Sequence, residues 1–151
     1  MYARINNGAI NNYPVDIWRE HPNVSFPIGW TGGLIEGQEY ALVISTSRPE
    51  TNHTQNTTEG TPVIDPNSGR WTQAWVVTQA PPEEIDARIS ARWASIREER
   101  NHKLYKSDWT QLSDSPLTAE KKSEWQVYRQ ELRDVTLQSN PFELAWPIIP
   151  A

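Results

Sequence analysis

Cysteine is absent from the 151-residue chain. That excludes a disulfide framework, a thiolate zinc site and a cysteine nucleophile. Long apolar runs are absent as well, and no stretch approaches the ~20 apolar residues of a membrane span. The first twenty residues, from Met1 to Glu20, have neither a basic start nor an apolar run and do not read as a secretory signal. The expectation is a soluble protein that works in the cytoplasm, without membrane contact. Excess positive charge is lacking too: the net charge is −5, which argues against a duplex nucleic-acid partner. A basic run does occur at Arg88, Arg92, Arg97, Arg100 and Lys103, but Asp86, Glu98 and Glu99 are interleaved with it. Alternating signs of this kind read as a solvated mixed-charge helix face.

Hydrophobic residues make up only 36 % of the chain, yet eight of them are Trp and five are Tyr. Each large ring buries more area than an aliphatic side chain, so a few well-fitted aromatics can support a small core.

The periodicity divides the chain into a β-rich part, residues 1–80, and a helical part, residues 81–151. Tyr2 to Ile5 and Val15 to Trp18 are short strand candidates, and Pro22, Pro27, Gly29, Gly32 and Gly33 break up the next stretch. Tyr40 to Thr46 alternates Tyr40, Leu42 and Ile44 against Ala41, Val43 and Ser45, which predicts a strand. Residues 46–60 are polar and read as a mobile loop. Thr61 to Ile64 and 70–78 form a predicted hairpin around the Asp65-Pro-Asn-Ser-Gly69 turn. Trp71 and Trp75 share one strand face and are expected in the core of this part.

The period then shifts to that of a helix. Pro81-Pro-Glu-Glu84 opens a helix over about 82–105, with Ile85, Ile89, Trp93, Ile96, Arg100 and Leu104 on one face. Lys106 to Pro116 is too polar and turn-rich to continue it. Thr118 caps a second helix over about 119–134, whose stripe is Trp125, Tyr128, Leu132 and Val135. Matching stripes predict a helical hairpin. Pro141, Pro147 and Pro150 predict an extended Pro-rich tail. The fold class is therefore α+β: a small N-terminal antiparallel β domain, then a helical hairpin and tail. Two helices alone enclose little of so aromatic a surface, which implies a partner.

No catalytic constellation is visible. His21, His53 and His102 lie in segments of unlike type without ligand spacing, and no phosphate loop or nucleophile elbow occurs. Asp108 and Asp114 flank Trp109, but Asp in such a turn is ordinarily a local cap. The expectation is a protein without catalysis, cofactor, metal or small-molecule substrate.

Arg100-Asn101, Leu104, Ser107-Asp-Trp-Thr-Gln-Leu-Ser-Asp114, Trp125, Tyr128-Arg-Gln-Glu-Leu-Arg-Asp134, Pro141 and Trp146-Pro147 form a combined signature. Over about residues 97–150 the chain resembles the tail assembly chaperone module of tailed bacteriophages, also found in tail-fibre assembly proteins. Looser likeness lies in Tyr13-Pro14, Asn23-Val-Ser-Phe-Pro27, Glu59-Gly60 and Gly69-Arg-Trp-Thr-Gln-Ala-Trp-Val-Val77. The resemblance implies a non-enzymatic chaperone that binds a trimeric tail-fibre protein near its C-terminal tip. It would act in the host cytoplasm during assembly. A structural subunit retained in the virion fibre or baseplate fits the same resemblance. A glycan-acting enzyme would need converging carboxylates in an aromatic cleft. The partner-binding candidates are Trp109, Trp125, Tyr128 and Trp146, because Trp and Tyr are the commonest anchors, with Arg129 and Arg133 as polar neighbours. Trp125 and Tyr128 lie on the apolar stripe, which also suits a place in the hairpin core. Trp109 suits a plug for the interhelical turn. Trp146 can clasp its own helices or a partner.

Overall fold

The computed structural model describes all residues, Met1–Ala151, in two compact units, Met1–Ala80 and Pro81–Ala151. The N-terminal unit holds two sheets. Strands β1 (Tyr2–Asn6), β2 (Ala9–Val15), β3 (Gly32–Ile35) and β4 (Gln38–Leu42) form an antiparallel sheet in the order β2-β1-β4-β3. Two of its connections are two-residue turns with both φ positive, at Asn7-Gly8 (50° and 74°) and Glu36-Gly37 (50° and 84°). Such turns match the twist of the strands they join.

Alternation along the strands sends side chains to both faces of this sheet, and both are covered. Tyr2, Val15, Ile35 and Tyr40 pack with Ile17, against Val24, Phe26, Trp30 and Leu42. On the other face Ala3, Ile5 and Val43 pack against Ile10, Tyr13, Ala41 and Trp71. Full burial of Ile17 alone is worth about 1.5–3 kcal/mol. The alternation read in Tyr40 to Thr46 holds, although β4 ends at Leu42 and Ile44 makes only an isolated parallel bridge to Thr72.

The second sheet is the hairpin of β5 (Gln55–Ile64) and β6 (Trp71–Gln79). Its turn forms as the sequence predicts: the Asp65 carboxylate accepts from the Asn67 and Ser68 amides at 3.1 and 3.2 Å. Two expectations are corrected here. The polar segment 46–60 is not all loop, because Gln55 to Gly60 pairs with β6; the β-branched Thr57 and Thr58 suit an extended chain despite their polarity. Val15 to Trp18 is not a strand. β2 ends at Val15, and Asp16 caps the short helix α1 (Ile17–Glu20) by accepting from the Arg19 amide. Trp71 joins the core, whereas Trp75 stands beneath the Arg48 guanidinium and donates to the Thr46 hydroxyl.

The C-terminal unit holds α2 (Pro82–Ser107), a 3-10 turn at Asp108–Gln111, α3 (Ala119–Asp134) and a second 3-10 turn at Val135–Leu137. Pro82 occupies the first turn of α2, and the Thr118 hydroxyl caps α3 by accepting from the Lys121 amide. The helices pack through Ile96, Tyr128, Leu132 and Val135, all buried. Their contacts run in opposite senses: Arg129 of α3 reaches Leu104, while Pro141, further along the chain, accepts from Arg92, about three turns earlier in α2.

No regular element follows Leu137, and the segment is not the extended Pro-rich tail that its prolines predict. Gln138 and Ala145 exchange two hydrogen bonds, both 2.9 Å, that close residues 138–145 into a loop. The Arg92–Pro141 bond, 3.2 Å, ties that loop to α2. Prolines prevent helix here but leave carbonyls free to be held from outside.

Candidate functional site

Residues of α3 meet the C-terminal end of α2, beside the linker that joins the two helices. Ser107 ends α2, and its hydroxyl lies 3.0 and 2.9 Å from the Lys103 and Leu104 carbonyls of the last turn. Thr110, fully buried, donates to the Ser107 carbonyl at 2.6 Å and so fixes the 3-10 turn beneath it.

Into this cradle α3 sends Arg129. Its Nη1 donates to the Leu104 carbonyl and the Ser107 hydroxyl, and its Nη2 to Asp108 Oδ1, each at 2.7 Å. A planar guanidinium with several fixed donors suits three acceptors at once. Arg129 is only 9 % exposed, so it is an internal latch and does not lie on the helix surface where its candidate role as a polar contact places it. Arg133 does lie on the surface, where it donates to Gln130 of its own helix.

Beside the latch runs a row of rings. Trp109 and Trp125 stand 6.2 Å apart between centroids, and Trp125 meets Tyr128 edge-on at 5.5 Å. The stripe at i and i+3 aligns the last two. Trp109 is 46 % exposed, Trp125 half-buried and Tyr128 buried, so the row descends from the surface into the helix pair. Trp146 lies apart from that row, beneath the Lys103 ammonium, which is 5.0 Å from its ring. The clasped end of the chain therefore rests on α2.

Past Trp146 the chain forms one wall of a groove of about 360 Å³ whose lining includes Pro147, Ile149, Trp125 and Tyr128, with Lys103 and Lys106 among the charged groups. A shallower depression of about 540 Å³ on the other side of Trp146 includes Glu131, Asp134 and Val135. Candidate residues Trp125 and Tyr128 thus belong to one groove, with Trp109 at the head of their row.

Sequence reasoning did not single out the groove's basic side or the roles of Ser107, Asp108 and Thr110. Lys103 reads as part of a solvated charged face. It does pair with Glu99 at 3.2 Å, as such a face would, but it also covers Trp146. Arg129 carried one available signal: it stands directly after Tyr128, at the edge of the buried stripe of an otherwise polar helix.

The three histidines stay apart in local setting. His21 bonds with the Tyr40 hydroxyl at 2.9 Å, whereas His102 lies beside the C-terminal groove.

Residues 93–151 match the family described as phage tail assembly chaperone protein. The matched segment is less than half of the chain, and residues 1–92 lie outside it. It contains the latch, the ring row, the clasped loop and the groove. No curated protein and no solved structure matches the chain.

Proposed function

We propose that this chain is a non-enzymatic assembly chaperone for a bacteriophage tail-fibre protein. The observation that carries the reading is the family match over residues 93–151. It covers a small helical unit that leaves large apolar side chains exposed, among them Tyr105, Trp109, Leu112 and Ile148. Fibre proteins are long β-structures that present unpaired strands and apolar surface before they close, and such surfaces aggregate unless covered. A unit with open aromatic anchors suits that task. The client is a trimeric fibre protein, bound near its C-terminal tip, and the help given is with folding, trimerisation or attachment. Binding takes place in the host cytoplasm and requires no cofactor, metal or nucleic acid.

The test is co-expression with the neighbouring fibre gene, followed by affinity capture and mass spectrometry of purified virions. A soluble complex with the fibre protein, and no chain in the virion, is the expected result. A fixed ratio in the virion would make the chain a structural subunit instead. Absence of any complex would refute the fibre client.

A further inference from the structure

The groove between α2, α3 and the clasped end of the chain is an apolar recess of the C-terminal unit. Its floor is Trp125 and Tyr128, its far wall Pro147 and Ile149. Every charged side chain along it is basic. Lys103 is already engaged by Glu99 and Trp146, which leaves the exposed Lys106 as the uncommitted cation, and no carboxylate lines the recess although the chain as a whole carries −5.

A second observation points to a ligand. Tyr128 is 5 % exposed, its ring packed by Trp125, yet its hydroxyl makes no hydrogen bond within the chain. The hydroxyl oxygen is not itself buried, so its O–H is open to donate to a ligand in the groove that Tyr128 lines. The phenol O–H and the Lys106 ammonium are both donors, and the ammonium has no acceptor capacity. Apolar walls with donors at the side complement an apolar segment that carries an acceptor with negative charge.

We infer that this groove binds an extended apolar segment of the client through an Asp or Glu side chain, which accepts from Tyr128 and faces Lys106. The inference rests on the chaperone reading and names the client chemistry that reading leaves open. The apolar flanks of the segment lie on Trp125, Pro147 and Ile149. Specificity comes from the acid, because a neutral amide in its place loses the charge-assisted bond.

The experiment uses the full chain and two capped peptides with blocked termini, alternating Val and Thr around a central Glu or a central Gln. Binding is read by tryptophan fluorescence and calorimetry. The Glu peptide is expected to bind about tenfold more tightly than the Gln peptide, the ratio expected when one charge-assisted bond is lost. Lys106→Glu should abolish that preference, and Tyr128→Phe should reduce it severalfold with the melting temperature unchanged, since the hydroxyl has no partner to lose. Equal binding of the two peptides, or a preference untouched by Lys106→Glu, overturns the proposal. So does failure of both peptides to bind. The same variants in the fibre co-expression separate the two ideas. A fibre complex undiminished by Lys106→Glu sinks the groove and keeps the chaperone. A Glu-peptide preference without any fibre complex keeps the groove and sinks the fibre client.

Discussion

The Arg129 guanidinium bonds the Asp108 carboxylate at 2.7 Å, and this contact joins the two halves of the sequence signature. Asp108 belongs to Ser107-Asp-Trp-Thr-Gln-Leu112, and Arg129 to Tyr128-Arg-Gln-Glu-Leu-Arg-Asp134. Their separation in sequence is the length of chain needed to turn from α2 and enter α3. The two partners differ in burial, however. Arg129 is buried and its Asp108 partner has a side chain 59 % exposed, so the carboxylate is the lesser contributor.

That difference sets the first prediction. Arg129→Ala leaves the Leu104 carbonyl and the Ser107 hydroxyl without their donor and should destabilise the C-terminal unit by about 3 kcal/mol. Asp108→Asn removes charge from a solvated partner and should cost under about 1 kcal/mol. Urea unfolding followed by far-UV circular dichroism measures both. Similar losses for the two variants would mean that the ion pair, and not the bonds to Leu104 and Ser107, is what holds the turn.

The clasped end of the chain gives a second. Trp146 lies beneath Lys103, so Trp146→Ala should destabilise by about 1–2 kcal/mol, combining the cation–π contact with lost apolar burial. Lys103→Met keeps most of the aliphatic cover and should lose only about 0.5 kcal/mol. Denaturant midpoints decide. An unchanged midpoint in Trp146→Ala would show that the end of the chain does not rest on α2 in solution.

A pH dependence follows from the N-terminal unit. The Glu20 carboxyl is held below the usual carboxylate range, first by its hydrogen bond from Arg4, at 2.8 Å, against the opposing effect of burial. A depressed folded-state pKa contributes stability that is complete above the ordinary glutamate value and fades as pH falls through the folded one. Glu20→Gln should therefore cost about 1 kcal/mol near neutrality and flatten the acid side of the stability profile. Thermal melts between pH 7 and pH 3 (about the range in which carboxylates titrate) make the comparison. A parallel acid limb in wild type and variant would rule the Arg4–Glu20 pair out as its source.

Much of the helical unit was legible in the sequence, because its determinants are local. Pro82 at the start of α2, Thr118 before α3 and the stripe through Leu132 each act within a turn or two. The β5–β6 turn is legible for the same reason, since Asp65 bonds to its own neighbours. The four-stranded sheet was less so. Asn7-Gly8 is a strong hairpin signal, but β2 carries Asn11 and Asn12 among its apolar residues and does not alternate cleanly. Asp16 marked the start of α1, yet four residues are too few for a helical period to show. At the site, the aromatic residues of the groove were legible because rings on a stripe must be buried or bound. The latch was not, since an arginine's burial depends on acceptors supplied from another helix end.

The inward aim of Ser107, Thr110 and Arg129, beside a groove edged by Lys106 and Ile149, has a consequence for how such modules diverge. The bonds that hold the turn and the exposed edge of the groove lie largely in different residues, with Ser107 and Tyr128 bordering both. Exchange of Lys106 or Ile149 can change the charge or girth of that edge while the latch stays intact. Chains that share the signature residues therefore share the means to build the latch, and are free to vary at the rim beside it.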